Sequence, residues 1–224
     1  DYGQTNIPVH ATNLVAISAG RYHNLALCSN GTVIAWGVEK GKGSFPDFGQ
    51  AQVPANATNI VAVAAGGYHS LALRANGTLV AWGLNGSGQC DIPDGVTNTV
   101  AIAAGHGHNL VLKRDGTLTA WGNNEFKYHA AGITNIPPEA TNVIAIAAGG
   151  FHCLALRADG RLFAWGLNEQ RQCVVPLAAC DVRQLAAGFL YSLALKRDGT
   201  VVAWGMNDSR QCLVPPSLSW EHTI

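Results

Sequence analysis

Charged side chains are scarce in this sequence. Asp, Glu, Lys and Arg make up 12% of its 224 residues, against roughly 25% in an ordinary globular domain. Fourteen basic residues balance fourteen acidic ones, so the formal net charge is zero. A nucleic-acid-binding protein needs a basic surface that displaces counterions, and a peripheral membrane protein usually needs basic or lipidated segments. The composition therefore argues against nucleic acid and membrane as partners.

Long apolar runs and catalytic motifs are missing as well. No stretch of 18 apolar residues is present, so the sequence predicts no membrane-spanning helix. It contains no Gly-x-Ser-x-Gly, no His-Glu-x-x-His and no phosphate-binding loop. We therefore expect a non-enzymatic protein without cofactor or metal, and an active site assembled from distant loops is the alternative. The composition suits a secreted or a cytoplasmic protein equally well.

Six cysteines are present, but their positions do not favour disulfides. Cys90, Cys173 and Cys212 each follow a Gln at one equivalent position of a repeat. Equivalent positions in neighbouring repeats should lie more than about 7 Å apart, too far for a disulfide. The other three cysteines fall at three different positions. Free thiols are the favoured interpretation, and a native disulfide is the alternative.

Repetition is what the sequence has in abundance. Ala-Trp-Gly occurs five times, and a Gly precedes each of these Trp residues by sixteen positions. The five residues are Trp36, Trp82, Trp121, Trp165 and Trp204. They are separated by 46, 39, 44 and 39 residues. A period near 42 is typical of proteins that stack similar units around a shared core.

Each unit has the pattern of four short strands. In the second unit these are residues 59–65, 69–73, 79–83 and 89–93, separated by Gly- and Asn-rich turns. An Asn-Gly or Asp-Gly pair between the second and third strands predicts a type I′ hairpin. We expect an all-β propeller of four-stranded antiparallel blades, with each Trp between adjacent blades and Ala-Ala-Gly near the axis. A parallel β-solenoid is the disfavoured alternative.

The second unit also resembles a known repeat. Its residues 64–85, followed by Gly88-Gln89, are similar to the regulator-of-chromosome-condensation repeat. The resemblance extends from Gly3 to Pro215 and implies a β-propeller, usually of seven blades. In loop spacing the chain is most similar to bacterial members of the family, which include a secreted inhibitor of β-lactamases. The nucleotide-exchange role of the nuclear member is the least expected, since no basic features for nucleosome binding are present.

The repeat count leaves the ends of the domain open. We expect one domain over residues 1–224, with units at 11–54, 57–93, 96–137, 140–176 and 179–215 and a tail at 216–224. Residues 1–8 resemble the fourth strand of an earlier blade and are surplus to five complete units. They either close the ring or are a remnant of a longer array. A closed monomeric ring is favoured, and self-association through the chain ends is the alternative.

All variation in unit length falls in the loop after the third strand, which predicts where binding occurs. Residues 39–48 and 124–129 are insertions that carry aromatic and Lys side chains. The turns between the first and second strands add aromatic residues to the same end of the propeller. The candidate binding residues are Tyr22, Lys40, Lys42, Phe45, Phe48, Tyr68, His106, Phe126, Lys127, Tyr128, His129, Phe151 and Phe189. The alternative interpretation is that the turn aromatics only cover the ends of neighbouring blades.

These residues predict a protein partner, whose identity the sequence does not determine. Inhibition of a β-lactamase is a narrower form of this hypothesis. Binding of a glycan or another small molecule is the second class, with Asn85, Asn124, Asn168 and Asn207 as hydrogen-bonding partners of hydroxyl groups. Because the rim residues differ from unit to unit, a single composite site is expected rather than five identical ones.

Four histidines occupy one position of the repeat, namely His23, His69, His108 and His152. They could form a ring of metal ligands, but zinc requires ligands that converge on one point. A structural role, with each imidazole bonded to backbone near the turn, is the favoured interpretation.

Overall fold

The structure is a computed structural model that describes residues 2–38, 45–127 and 129–215, with His129 described by its backbone only. Every regular element in these residues is a β-strand. These residues contain no helix long and apolar enough to cross a membrane. Fifteen strands form five three-stranded antiparallel sheets, here called blades 1 to 5, and two more form a small hairpin.

The strands follow one another without crossovers. Blade 1 contains β1 (Leu14–Ala19), β2 (His23–Cys28) and β3 (Val33–Gly37). Blade 2 contains β4 (Ile60–Ala65), β5 (His69–Arg74) and β6 (Leu79–Gly83). Blade 3 contains β7 (Thr99–Ala104), β8 (His108–Lys113) and β9 (Leu118–Gly122), followed by the hairpin of β10 (Glu125–Phe126) and β11 (His129–Ala130). Blade 4 contains β12 (Val143–Ala148), β13 (His152–Arg157) and β14 (Leu162–Gly166). Blade 5 contains β15 (Val182–Ala187), β16 (Tyr191–Lys196) and β17 (Val201–Gly205).

The Asn-Gly and Asp-Gly pairs turn the chain where the sequence predicts, but the turn type differs. In blade 1 the Gly31 N–H donates to the Cys28 carbonyl at 2.9 Å, and only Gly31 of the pair has positive φ, at 80°. This is a type I turn followed by a left-handed glycine, not type I′. The Asn30 side chain accounts for the difference, because its Oδ1 accepts hydrogen bonds from the Thr32 N–H at 3.0 Å and hydroxyl at 2.7 Å.

The predicted fourth strand of each blade is wrong. After β3 the chain runs through turns and then crosses to the next blade without joining a sheet. The backbone carbonyl of Gln50 accepts hydrogen bonds from the indole N–H of Trp82 and the hydroxyl of Ser70, both at 2.9 Å and both in blade 2. This segment is thus bonded to side chains of the following blade and forms no ladder with β3. We call residues 48–54, and the equivalent residues before each other blade, the linking segment of the blade that follows.

The N-terminal residues are not surplus, which corrects a second expectation. The Gln4 carbonyl accepts from the Trp36 indole at 2.9 Å and from the Asn24 amide at 2.8 Å. Residues 2–8 are therefore the linking segment of blade 1. Each linking segment precedes the blade whose side chains hold it, and the expected unit boundaries stay a prediction. Strand periodicity could not reveal this, because it does not show which blade a segment contacts.

The prediction that each Trp packs between blades is confirmed for four of the five. Trp82, Trp121, Trp165 and Trp204 are 7–8% exposed and pack against leucines of the preceding blade. Leu71 and Leu73, for example, contact the cluster that contains Trp121. The small residues near the axis are also confirmed: a Cβ on Gly66 would lie 2.7 Å from the Gly105 carbonyl oxygen of the next blade. Larger side chains would force the blades apart.

Blades 1 and 5 each leave one face uncovered. Leu14 of blade 1 is 37% exposed and Ile17 is 76% exposed, whereas Ile60, at the position equivalent to Leu14, is 3% exposed. On the opposite side Leu193 of blade 5 is half-buried, although the equivalent Leu154 is 1% exposed. The described residues thus form an arc of five blades, and the closed ring favoured by the sequence is not observed.

We predict that deletion of residues 1–10 destabilises blade 1. The deletion removes the Gln4 carbonyl that accepts from the half-buried Trp36 indole N–H and the Tyr2 ring that contacts Tyr22. The midpoint of thermal unfolding, measured by circular dichroism, should fall by about 5 °C, as expected for a loss of roughly 2 kcal/mol in a chain of this size. Val9→Ser is the control, since Val9 is 98% exposed. An unchanged midpoint after the deletion would contradict the role of the linking segment.

Candidate functional site

Aromatic rings from all five blades meet at one end of the arc. They come from the turns between the first and second strands, from the loop before Gln50, from the β10–β11 hairpin and, for Tyr2, from the N-terminal linking segment. We call this surface the aromatic face, which consists of Tyr2, Tyr22, Phe45, Phe48, Tyr68, His106, Phe126, Phe151 and Phe189. Eight of the nine are candidates predicted from the sequence. Tyr2 was missed, because residues 1–8 were assigned to another blade.

One half of the aromatic face is centred on Tyr68. Its ring stacks on Tyr22 at 5.3 Å, with 29° between the planes. Phe45 and Phe48 approach the same ring at 5.9 and 5.5 Å. Burial and the hydrogen bond with Tyr22 raise the pKa of Tyr68, so its hydroxyl is neutral and can still exchange hydrogen bonds with a partner.

The other half is centred on Phe151. His106 links it to the first half, with ring centroids 5.3 Å from Tyr68 and 5.2 Å from Phe151. Phe126 and Phe189 contact Phe151 at 4.6 and 5.2 Å. The face is thus one continuous network of rings, in which every pair is in edge or tilted geometry except the stacked pair of Tyr22 and Tyr68. Edge-to-face and offset-stacked rings are the favourable arrangements of aromatic pairs.

Exposure separates the two interpretations of these aromatics. Phe45 is 64% exposed, Phe189 46% and Phe48 37%, whereas Phe151 is 9% exposed. Phe151 therefore covers blade ends, as the structural interpretation holds. The three exposed phenylalanines bury much less surface within the fold than Phe151 does. Apolar side chains that cluster in this way at one end of a scaffold are typical of binding surfaces.

The loop that carries Phe45 and Phe48 is fixed by a buried glutamine. Gln50 is fully buried; its Oε1 accepts from the Phe48 N–H at 2.7 Å and its Nε2 donates to the Pro46 carbonyl at 2.6 Å. Asp47 Oδ1 also accepts from the Gly49 N–H at 2.9 Å. The Gln of each Gly-Gln or Arg-Gln pair serves the same purpose in later units, as the bond from the Ser87 N–H to Gln89 shows. This anchoring role is not evident from the sequence.

The second insertion is more ordered than the polar loop the sequence predicts. Its residues form the β10–β11 hairpin, in which Glu125 pairs with Ala130 and Phe126 with His129. The hairpin places Phe126 on Phe151, and the Lys127 ammonium lies 5.0 Å from the centroid of the Phe126 ring. The hairpin therefore extends the aromatic face and adds a positive charge at its rim.

The binding role of all thirteen predicted residues stays a prediction, and the structure does not place the side chains of four of them. Lys40, Lys42 and Tyr128 lie outside the described residues, as does the side chain of His129. Arg21 was not predicted, yet its guanidinium carbon lies 5.3 Å from the Tyr22 ring and 5.8 Å from the Tyr68 ring. A signal was available, because Arg21 is the one Lys or Arg that directly follows the repeated Gly.

The repeated histidines join neighbouring blades rather than bind backbone as expected. His23 Nε2 lies 2.8 Å from Ser70 Oγ, and His69 Nε2 lies 2.9 Å from Asn109 Oδ1. Ser70 donates its own proton to the Gln50 carbonyl, so His23 Nε2–H must be the donor in the first pair. Within the described ranges no group of three or more His, Cys, Asp or Glu side chains is placed to hold a metal ion.

One histidine has a cysteine partner, a pairing that in enzymes can generate a nucleophile. Cys153 Sγ lies 3.3 Å from His108 Nε2, but both residues are fully buried. Burial raises the pKa of the Cys153 thiol and lowers the pKa of His108 to about 3. Both groups are therefore neutral and out of reach of a substrate, so the pair is a structural contact.

Comparison with known repeats identifies the units. The regulator of chromosome condensation (RCC1) repeat matches residues 14–39, 60–89, 100–127, 143–172 and 182–211, one match for each blade. The chain belongs to the RCC1 repeat family. A search of curated protein sequences gave no match.

Several solved structures share this fold. Prp20p of Saccharomyces cerevisiae, described with its binding to Gsp1p and histones, is 23% identical with a TM-score of 0.73, over 92% of this chain and 61% of Prp20p. The ectodomain of the Physcomitrella patens receptor kinase CR4 is 23% identical with a TM-score of 0.74, over 91% of this chain and 55% of the ectodomain. Human WBSCR16 is 22% identical with a TM-score of 0.68, over 87% of this chain and 62% of WBSCR16. The chain thus spans less than two thirds of each of these structures.

We predict that acid destabilises the RCC1 blades through the buried histidines. An unperturbed imidazole titrates near 6.5, but burial lowers the pKa of His23, His69 and His152 to about 4. Between these values the unfolded chain binds more protons than the folded chain, so stability is complete above pH 6.5 and falls as the pH drops. Each histidine should contribute up to about 1.4 kcal/mol per pH unit.

Urea unfolding between pH 7.5 and 5 tests this, since most carboxylates stay ionised there. His69→Gln should reduce the slope of stability against pH, whereas His10→Gln should leave it unchanged, because His10 is exposed. Stability that is independent of pH in this range would disprove the role of the histidines.

Proposed function

We propose that this protein is a non-enzymatic binding module that recognises another protein through its aromatic face. The observation behind the proposal is the continuous ring network, in which Phe45, Phe48 and Phe189 are exposed on a rigid scaffold. Aromatic side chains that are held in place lose little entropy on binding, so they are efficient anchors of protein interfaces.

Related structures support the same class of function. Prp20p is described with binding to Gsp1p and histones, and yeast Prp20 has been crystallised bound to Kap60. These partners belong to that protein, and this chain spans about 60% of its structure. What we carry over is that an RCC1 scaffold can present a surface to other proteins.

Glycan binding is less well supported by the site. The amides expected to bond sugar hydroxyls already hold their own loops: Asn85 Oδ1 accepts from the Cys90 N–H at 2.8 Å, and Asn168 Oδ1 accepts from the Cys173 N–H at 2.9 Å. Asn124 Oδ1 likewise accepts from the Thr134 N–H. The oxygens of these three amides are engaged in the fold, which leaves fewer polar groups for a sugar than the sequence suggests.

Inhibition of β-lactamases is a narrower alternative and is open to a direct assay. The inhibitor in this family is expected to bind through aromatic and acidic side chains at the corresponding turns and loops. In this chain Asp47 is 5% exposed and therefore unavailable to a partner. A class A β-lactamase assayed with micromolar protein should keep full activity. Inhibition that Phe45→Ser abolishes would instead establish this alternative.

We expect the double variant Phe45→Ser, Phe189→Ser to lose partner binding while keeping its fold. Both side chains are exposed, so the thermal midpoint should change little, whereas removal of two interface anchors should weaken binding by at least about tenfold. The partner is isolated from the source organism by affinity capture, and its dissociation constant for each variant is then measured by calorimetry with purified components.

Leu177→Ser is the matched control, because Leu177 is fully exposed and takes no part in the ring network. It should bind like the unmodified protein. A partner bound with equal affinity by the double variant would place the interface elsewhere and refute the proposal.

A further inference from the structure

A cavity of about 470 Å³ opens at the axis of the arc, beside the aromatic face. Residues from all five blades line it, and most of them are the Ala and Gly residues that end the first strand of each blade. Three larger side chains also reach it, those of Arg21, His106 and Phe189. Its wall is apolar apart from these few groups, which is the usual character of a ligand pocket.

The three large side chains come from one position of the repeat. The residue after the repeated Gly is Arg21, Gly67, His106, Gly150 or Phe189 in blades 1 to 5. The two glycines make room for their neighbours: a Cβ on Gly67 would lie 2.6 Å from His106 Nδ1, and a Cβ on Gly150 would lie 2.7 Å from Phe189 Cδ2. The repeat therefore produces one asymmetric site instead of five similar ones.

Arg21 supplies the only charge in the wall of this cavity. Its side chain is exposed, and the ion pairs found among the described residues join other groups: Arg157 to Asp159, Lys196 to Asp198 and Arg197 to Asp181. The rings of Tyr22 and Tyr68 hold the guanidinium at 5.3 and 5.8 Å. An exposed cation positioned in this way has its hydrogen-bond donors free for an anion.

Two further polar groups lie at the same place. Burial and the nearby charge of Arg21 lower the pKa of His106, so its imidazole is neutral at pH 7 and can donate a hydrogen bond. The backbone N–H groups of Arg21, Gly67, His106 and Gly150 donate to carbonyls of the next blade. The second polar group is the backbone N–H of Phe189, at the equivalent position of the last blade, which has no such acceptor among the described residues.

One cation, one neutral imidazole and an apolar wall suit a ligand with a single negative charge. A carboxylate matches the planar guanidinium in a bidentate pair, whereas a doubly charged phosphate would need more cations. We propose that the axial cavity binds a carboxylate group of the protein partner, held by Arg21 and His106. The group is either an Asp or Glu side chain or a C-terminal carboxylate. This inference rests on the proposed function and adds the chemistry of what the partner inserts.

Titration with small probes, followed by NMR, tests the inference without the partner. N-acetyl-glutamate α-amide presents a side-chain carboxylate, and N-acetyl-leucine presents a terminal one. The matched neutral probes are N-acetyl-glutamine α-amide and N-acetyl-leucine amide. A carboxylate probe should shift the amide signals of Gly66, Gly105 and Gly149 at millimolar concentration and bind at least about tenfold more tightly than its neutral match. Whichever carboxylate binds more tightly identifies the source.

Two arginine variants separate a specific site from general attraction of anions. Arg21→Gln should weaken carboxylate binding at least about tenfold, whereas Arg114→Gln, which removes the same charge beside the Asp115-Gly116 turn, should have no effect. Binding should also raise the pKa of His106, because a nearby anion favours the imidazolium form.

Three results would overturn the inference: equal shifts with neutral probes, binding unaffected by Arg21→Gln, or no response of the axial glycines up to about 50 mM, a range well beyond millimolar affinity. If any of these is found while the Phe45 and Phe189 variant still loses the partner, the proposed function stands and only the axial carboxylate site is wrong.

Discussion

The structure depends on one backbone carbonyl in each unit that receives two hydrogen bonds from the following blade. The Gln50 carbonyl accepts from the Trp82 indole and the Ser70 hydroxyl, and Ser70 in turn accepts from His23 of the preceding blade. A Trp, a His and a Ser or Asn are thus joined into a chain of bonds across the blade interfaces, and Cys153 takes the place of the Ser or Asn between blades 3 and 4. Since an unpaired indole or imidazole N–H would be costly once buried, these bonds determine how closely and in which orientation the blades pack.

The same contact explains why the aromatic face is possible. Linking segments held by the next blade leave the loops before them free to vary in length without disturbing the core. The insertion that carries Phe45 and Phe48 ends at Gln50, whose side chain fixes the loop while its carbonyl fixes the next blade. Variation is thereby confined to one end of the arc, where rings from five blades form a single surface.

Much of the fold was predictable because its signals are local. Short apolar runs, turn glycines and recurrent Trp residues indicate strands, hairpins and a shared core irrespective of distant contacts. The fourth strand was predicted wrongly for the converse reason: residues 89–93 have the composition of a strand, but the bonds of Gln89 go to Asn109 and Trp121 in another blade. The turn type also differed, since the Asn30 side chain, not residue preference alone, stabilises the observed geometry.

By itself the sequence determined an all-β repeat architecture, the end of the molecule where variation occurs and most of the aromatic residues found there. Only the tertiary structure decided which blade each linking segment serves, that residues 2–8 belong to blade 1, and that Arg21, His106 and Phe189 surround one cavity. The physical reason is that strand and turn patterns depend on neighbours in sequence, whereas these contacts join residues some 20 to 170 positions apart and depend on how five blades are arranged around an axis.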